Sequence, residues 1–168
     1  TFASEIKQLA QQFMHDPEEI QVTPQNTVVA TVEHRGHPVD TARKRDLLLH
    51  LMSANSRRQT LVFTRTKHGA NRLAEFLEKA GMRAAAIHGN KSQSARVKAL
   101  TEFKNGKCTV LVATDIAARG IDIDQLPVVV NFDLPTIAED YVHRIGRTGR
   151  NGSSGEAISL VAPEEGPL

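Results

Sequence analysis

Residues 141–150 read Tyr-Val-His-Arg-Ile-Gly-Arg-Thr-Gly-Arg, so Arg144, Arg147 and Arg150 recur at every third position, and no acid occurs from Tyr141 to Ser154. Arginine offers a fixed planar fork of donors that suits phosphate oxygens. Glycine lets a backbone turn sharply or approach a ligand closely. A solvated helix face needs no glycines among its arginines. The combination reads as a helix end that delivers guanidinium groups to a polyphosphate.

Two other segments carry related chemistry. In Thr114-Asp115-Ile116-Ala117-Ala118-Arg119-Gly120-Ile121-Asp122, the Thr114 hydroxyl can donate to a backbone phosphate. Asp122 can accept from a sugar hydroxyl, as acids do at nucleotide riboses, and Arg119 can pair with an acid or a phosphate. The competing reading is a tight loop with Asp115 capping a short helical turn. The second segment, His88-Gly89-Asn90, leads into Ser92-Gln93-Ser94-Ala95-Arg96. Amides at a helix start attract anions, and Arg96 lies one turn in. The competing reading is an ordinary capped helix with Arg96 in solvent. Between Leu47 and Ala74 there is no acid, yet Arg57, Arg58, Arg65, Lys67 and Arg72 fall there. This is an electrostatic footprint for phosphates.

What is missing matters equally. No Gly-x-x-x-x-Gly-Lys-Ser/Thr occurs, since Gly106-Lys107 is followed by Cys108. No Asp-Glu pair after an apolar strand is placed to hold magnesium. Arginines suited to a γ-phosphate, without the groups that grip and activate a triphosphate, make half a site. The other half must come from another domain. His34 and His37 are the closest histidine pair, with no second ligand cluster, so no metal site is expected. A lone cysteine cannot form an internal disulfide, and Cys108 opens an apolar run, where it reads as a buried thiol.

The elements that must position these residues follow from periodicity. Ile6, Leu9, Ala10 and Phe13 have helical spacing. Asp16-Pro17 stops that helix, and the polar stretch from Glu18 to Thr27, with Pro24, reads as a linker or an extended strap. Val28 to His34 reads as a strand. Thr41 is placed to cap a helix to about Met52. Leu61-Val62-Phe63 is a short strand, and Lys67 to Ala80 a helix with Ala70, Leu73, Ala74 and Leu77 on one face, ended by Gly81. Ala84 to Ile87 is a strand; Ser92 caps a helix to Asn105. Val110 to Ala113 and Val128 to Val130 are apolar strands. Thr136 and Glu139 have capping-box spacing for a helix ending near Gly146. Ala157 to Val161 is a last strand, and Pro163-Glu164-Glu165 a helix start. Continuous apolar strands alternating with helices imply a mainly parallel sheet covered on both faces. Ligands bind such sheets beyond the strands' carboxyl ends, where Thr64-Arg65-Thr66, His88-Gly89-Asn90 and Thr114-Asp115 fall.

In order along nearly the whole chain, these segments resemble a known set of motifs. His143 to Arg150 resembles motif VI of the DEAD-box RNA helicases, and Thr114 to Asp122 resembles motif V. Leu61 to Lys67 resembles motif IV, and Gln93-x-x-Arg96 the motif after it. The wording is most similar to the bacterial RhlE-type branch. Asn90 departs from the pattern, since many relatives carry Asp there. The resemblance implies an α/β, RecA-like three-layer α/β/α domain, the carboxy-terminal half of a two-domain motor, over residues 27–168. Residues 1–26 would hold the end of the first domain and the linker. It implies ATP and Mg2+ held mainly by the missing domain, with RNA as the polymer and further partners in RNA processing, ribosome assembly or RNA degradation. Arg147 and Arg150 would be arginine fingers, with His143 orienting a neighbour among them. Asp122 would bind the ribose, with Gly120 beside it and Arg119 helping to close the interdomain interface. Arg65, Thr66, the Gly89 backbone, Gln93, Arg96 and Thr114 would form the RNA-backbone surface. Few aromatics, 4% with no tryptophan, argue against base-stacking platforms.

Ordinary globular composition, with 40% hydrophobic and 24% charged residues, sets no other class. No apolar run approaches ~18 residues and no signal pattern opens the chain, so a cytoplasmic, non-membrane protein is expected. Two rivals stay open at this level. One is the second half of a DNA motor of the same superfamily, distinguished by whether RNA or DNA stimulates the ATPase. The other is a pure binding module built on the surface around Arg65 and Arg96, distinguished by whether a first domain precedes Thr1.

Overall fold

Six strands form one fully parallel sheet in the order β1-β6-β5-β2-β4-β3. The fold is a computed structural model that describes residues 4–16, 18, 31–54, 58–149 and 153–165. The strands are β1 (Val32–Pro38), β2 (Thr60–Phe63), β3 (Ala84–Ile87), β4 (Val110–Ala113), β5 (Val128–Asn131) and β6 (Gly155–Val161). The helices are α1 (Ser4–Phe13), α2 (Lys44–Ser53), α3 (Lys67–Lys79), α4 (Gln93–Lys104), α5 (Asp115–Ala118) and α6 (Ala138–Ile145). Among the described residues, no helix is long and apolar enough to cross a membrane.

Alternation along each strand divides the core between two faces. Val62, Val110, Val112, Val128 and Val130 point to one side and pack with Leu48, Met52, Ala70, Leu73 and Leu77 of α2 and α3. Leu61, Phe63, Leu111, Ala113 and Val129 point to the other, against Ala99 and Phe103 of α4 and Ala118 of α5. Strands buried on both faces read as near-continuous apolar runs; β2, β4 and β5 are buried throughout, with Thr60 and Asn131 their polar residues. On α1, by contrast, Ile6, Leu9 and Phe13 are exposed.

Local signals hold for α3 and α4. The Thr66 hydroxyl accepts from Gly69 N at 2.9 Å, and Ser92 Oγ accepts from Ala95 N at 3.2 Å, each satisfying an orphan amide. At the far end of α3, Gly81 N donates to Glu78 O and Met82 N to Leu77 O, both at 2.9 Å. Gly81 has φ +89°, the left-handed turn this double closure requires.

Other expectations are corrected. The first strand runs from Val32 to Pro38, past the expected end at His34, with a turn at Thr31 before it; residues 28–30 of the expected strand from Val28 lie outside the described ones, as do Thr1, Phe2, Pro24, Arg57 and Arg150. Thr41 opens a 3-10 turn, Thr41–Arg43, ahead of α2 and caps nothing, because its hydroxyl donates to Glu164 across the fold. Thr136 and Glu139 form no capping box: α6 starts at Ala138, after an Ile137 N-cap without a side-chain bond. Pro163–Glu165 is a single 3-10 turn.

Candidate nucleotide and nucleic-acid face

The three segments beyond β2, β4 and β3 lie on neighbouring strands, at one edge of the sheet. Arg65 and Thr66 follow β2, and both are exposed. Gly89 follows β3, and Gln93 and Arg96 lie in the first turn of α4, with Gln93 exposed and Arg96 half-buried. Thr114 follows β4 and is buried. Parallel pairing with β4 puts Phe63 and Ile87 level with Ala113, so sheet register alone brings these chain-distant residues to one rim.

The β3 turn has a defined internal structure. Asn90 N donates to His88 Nδ1 at 3.2 Å, which leaves Nε2–H to donate to Asn71 Oδ1 at 2.8 Å. The partners thereby fix the neutral tautomer. Burial, and then Lys91, Lys67 and His68 nearby, pull the His88 pKa below its ordinary value. Lys67 Nζ donates to Asn90 Oδ1 at 2.9 Å, so the unusual Asn90 serves as an acceptor within the turn.

Motif V and motif VI meet through two arginines. Arg147 Nη1 donates to Ile121 O at 2.7 Å and to Ile123 O at 3.2 Å, and Nη2 to Ala118 O at 2.9 Å. The guanidinium is thus folded onto the carbonyls of the loop that carries Arg119, Gly120 and Asp122. Gly120 has φ +76° and open space at the Cβ position, so this turn needs its backbone freedom. Asp122 is 94% exposed, with Lys104 Nζ 3.5 Å away. Arg119 pairs with Asp140 of α6 at 3.0 Å. His143 is exposed in the last turn of α6.

The middle of the site is a residue that spacing did not separate from its neighbours. Arg144 is 2% exposed. Its Nε and Nη2 grip both Asp115 oxygens at 2.6 and 2.7 Å. Its Nη1 donates to Asn131 Oδ1 at 3.1 Å and to Asp133 O at 2.6 Å. The guanidinium carbon lies 5.0 Å from the centre of the Phe63 ring. A bidentate pair that also meets a buried amide and a ring is what keeps a buried cation tolerable. Asp115 is therefore the first residue of α5 and the partner of Arg144, not a cap. The sequence signals that could have found this hub are Asn131, a polar residue closing an all-apolar strand, and an acid directly after buried β4.

A second buried pair lies behind it. Lys44 Nζ meets Glu165 Oε2 at 2.6 Å, with the side chains 2% and 9% exposed. Burial works against the Glu165 carboxylate, yet Lys44 and the Ala162 and Leu134 amides hold its pKa below the usual carboxylate range.

Among the described residues, no three His, Cys, Asp or Glu side chains gather as a metal site. The candidate nucleotide groups here are the Asp122 carboxylate, an acceptor suited to ribose hydroxyls, and guanidinium donors suited to phosphate oxygens, and such a set does not make a cage for a metal ion. An open concavity of about 920 Å3 lies beyond the carboxyl ends of β1 and β6, lined by Pro38, Val39, Arg43, Leu47 and Pro163 among others. It is lined by none of the candidate nucleotide or RNA residues, and the rim at β2, β4 and β3 remains the candidate.

Residues 43–152 match the model of the helicase conserved C-terminal domain family. The chain is 42% identical over 165 residues to the DEAD-box ATP-dependent RNA helicase CshA of Bacillus subtilis, covering 98% of this chain and 33% of that protein. It spans about a third of the length of the curated relatives it matches. Among solved structures, it is similar to the E. coli DEAD-box protein SrmB bound to the regulator RraA, with TM-score 0.73 and 39% identity over 79% of this chain and 78% of that one. Yeast Dbp5 bound to RNA and ADP BeF3 matches with TM-score 0.84 and 34% identity over 98% of this chain and 44% of that one.

Proposed function

The chain belongs to the DEAD-box RNA helicases as their C-terminal, RecA-like helicase domain, and on that premise we propose that it is the phosphate-sensing half of an ATP-dependent RNA motor. The first domain of the motor, of which residues 1–26 would hold only the end and the linker, would bind ATP and Mg2+ and carry the groups that activate the γ-phosphate. The branch we favour is RhlE-type, on the wording of the motifs taken together. Further protein partners would come from RNA processing, ribosome assembly or RNA degradation, and the compartment would be the cytoplasm.

The observation that carries this reading is the convergence of the motif V loop and the motif VI arginines. Arg147 lies against the carbonyls of Ala118, Ile121 and Ile123, which puts it within the loop that bears Asp122. In our reading Asp122 accepts from the ribose hydroxyls. Arg147 releases its carbonyls as the two domains close and, with Arg150, meets the γ-phosphate. Arg119, with Gly120, helps close the interface, and exposed His143 orients a neighbour there. Charge developing on the phosphoryl oxygens would be stabilised by these guanidinium groups once closure aims them at the phosphate. Such a finger is worth ~10³–10⁵ in rate.

On the adjoining rim, Arg65, Thr66, the Gly89 backbone, Gln93, Arg96 and Thr114 would meet RNA phosphates and 2′-hydroxyls. Contacts of that kind position without reading sequence. RNA and ATP would both favour the closed state, and this domain alone would not turn over ATP at a useful rate.

The test is RNA-stimulated ATPase in the complete polypeptide. We expect Arg150→Ala and Arg147→Ala each to lower turnover at least about tenfold with the fold intact, as removal of a finger requires. Stimulation by DNA but not RNA, or turnover unchanged in both variants, would refute the reading.

A further inference from the structure

The loop after β5 belongs to none of the motifs read from the sequence, yet it touches two of them and is joined to a third through Arg144. Phe63 O accepts from Phe132 N at 3.0 Å and from Asp133 N at 3.3 Å, which laps the loop over the end of β2. Asp133 then reaches back, and its Oδ2 accepts from Arg65 N at 2.8 Å. The Asp133 carbonyl accepts from Arg144 Nη1 at 2.6 Å. Arg144 in turn grips Asp115, the residue after Thr114.

The loop is also held from behind. Lys44 Nζ donates to Phe132 O at 2.8 Å, and Glu165 Oε1 accepts from Leu134 N at 3.1 Å. Asp133 is thus presented on a fixed support. The exposed Arg65–Thr66 turn is held by the Thr66 hydroxyl, which accepts from Gly69 N, by Thr64 Oγ1, which donates to Thr66 O at 3.3 Å, and by Arg65 Nη2, which donates to Leu134 O at 3.3 Å. It is also held by the Asp133 carboxylate, the one of these partners that takes the Arg65 amide. A contact residue is only as well placed as the groups that hold it.

We propose that Asp133 is a positioning residue for RNA: it sets where the Arg65–Thr66 turn stands and ties that place, through its own carbonyl, to the Arg144 guanidinium of the phosphate-facing helix. The inference rests on the RNA reading of Thr66 given above. Asp133 touches neither RNA nor nucleotide and acts through Arg65 N and Arg144.

The experiment measures binding of a labelled single-stranded oligouridylate to the complete polypeptide with a non-hydrolysable ATP analogue. Asp133→Ala should weaken binding about tenfold, the scale of one hydrogen bond to a charged group. Asp133→Asn keeps an oxygen that can accept from Arg65 N and should restore most of the affinity. Asp133→Ala combined with Thr66→Ala should cost little more than either alone, because both act on one turn. Combined with Arg96→Ala on α4, it should add. A merely structural role would add in both pairings. Should Asp133→Ala fail to fold, Asp133→Glu keeps the charge but displaces the acceptor, and must also bind more weakly. Wild-type affinity in folded Asp133→Ala or Asp133→Glu, or additivity with Thr66→Ala, overturns this inference alone. A wild-type polypeptide that does not bind the oligouridylate overturns the proposed function and this inference with it.

Discussion

Arg144→Ala is the perturbation whose size the geometry fixes most closely. It deletes four hydrogen bonds and leaves three partners behind, the Asp115 carboxylate, the Asn131 amide oxygen and the Asp133 carbonyl. The Asp115 side chain is 30% exposed, so its carboxylate regains part of its hydration. Asn131 is fully buried, and its oxygen regains none. Breaking a fully buried pair costs roughly 3–5 kcal/mol, and partial hydration of Asp115 argues for the lower end of that range. An orphaned buried acceptor adds roughly 1–3 kcal/mol. We therefore expect a loss of about 4 kcal/mol, a large part of the ~5–15 kcal/mol that stabilises an ordinary domain. At a urea slope of about 2 kcal/mol/M, the unfolding midpoint of the 168-residue chain, followed by circular dichroism, should fall by about 2 M. Arg144→Lys keeps the charge but not the fork, and should fall between the two. A midpoint within about 0.5 M of wild type for Arg144→Ala, with an unchanged slope, would refute the claim that this guanidinium organises the site.

Gly155→Ala should destabilise by at least about 1–3 kcal/mol, the scale of overpacking, because an added Cβ would overlap Thr148 Oγ1 and lie 2.5 Å from Gly149 N; a thermal melt matching wild type would contradict it. The Glu165 pKa is depressed in the fold, so its contribution is present above the unfolded carboxylate pKa of about 4.5 and is lost as pH falls through the lower folded value. Urea unfolding at descending acid pH should therefore show a shallower decline for Glu165→Gln than for wild type. Burial raises the Cys108 pKa to about 11, so its thiol should resist a disulfide reagent at mildly alkaline pH in the native chain and react on unfolding; equal rates in both states would disprove its burial.

Much of this architecture was legible before any coordinates. Ala70, Leu73, Ala74 and Leu77 identify α3 because helical period and burial coincide there, and the apolar runs of β4 and β5 identify buried parallel strands. The capping readings divide instructively. Thr66 and Ser92 cap because their side chains have no stronger partner nearby, whereas the Thr41 hydroxyl is taken by Glu164, distant by 123 residues. A cap is local only when nothing remote competes for its oxygen.

The candidate site divides along the same line. Residue types and short spacing determined that this chain has phosphate-seeking arginines, glycine-bearing turns and strands to present them, since those depend on side-chain chemistry and helical or pleated period alone. They could not distinguish the arginines from one another. Arg144 became a buried hub and Arg147 a clasp on the motif V loop because their partners, Asp115, Asn131, Asp133 and the carbonyls of Ala118 and Ile121, are supplied by other strands and loops. Only the strand order β1-β6-β5-β2-β4-β3 brings those partners within hydrogen-bonding reach, and that order is set by long-range pairing and burial, which no local pattern encodes.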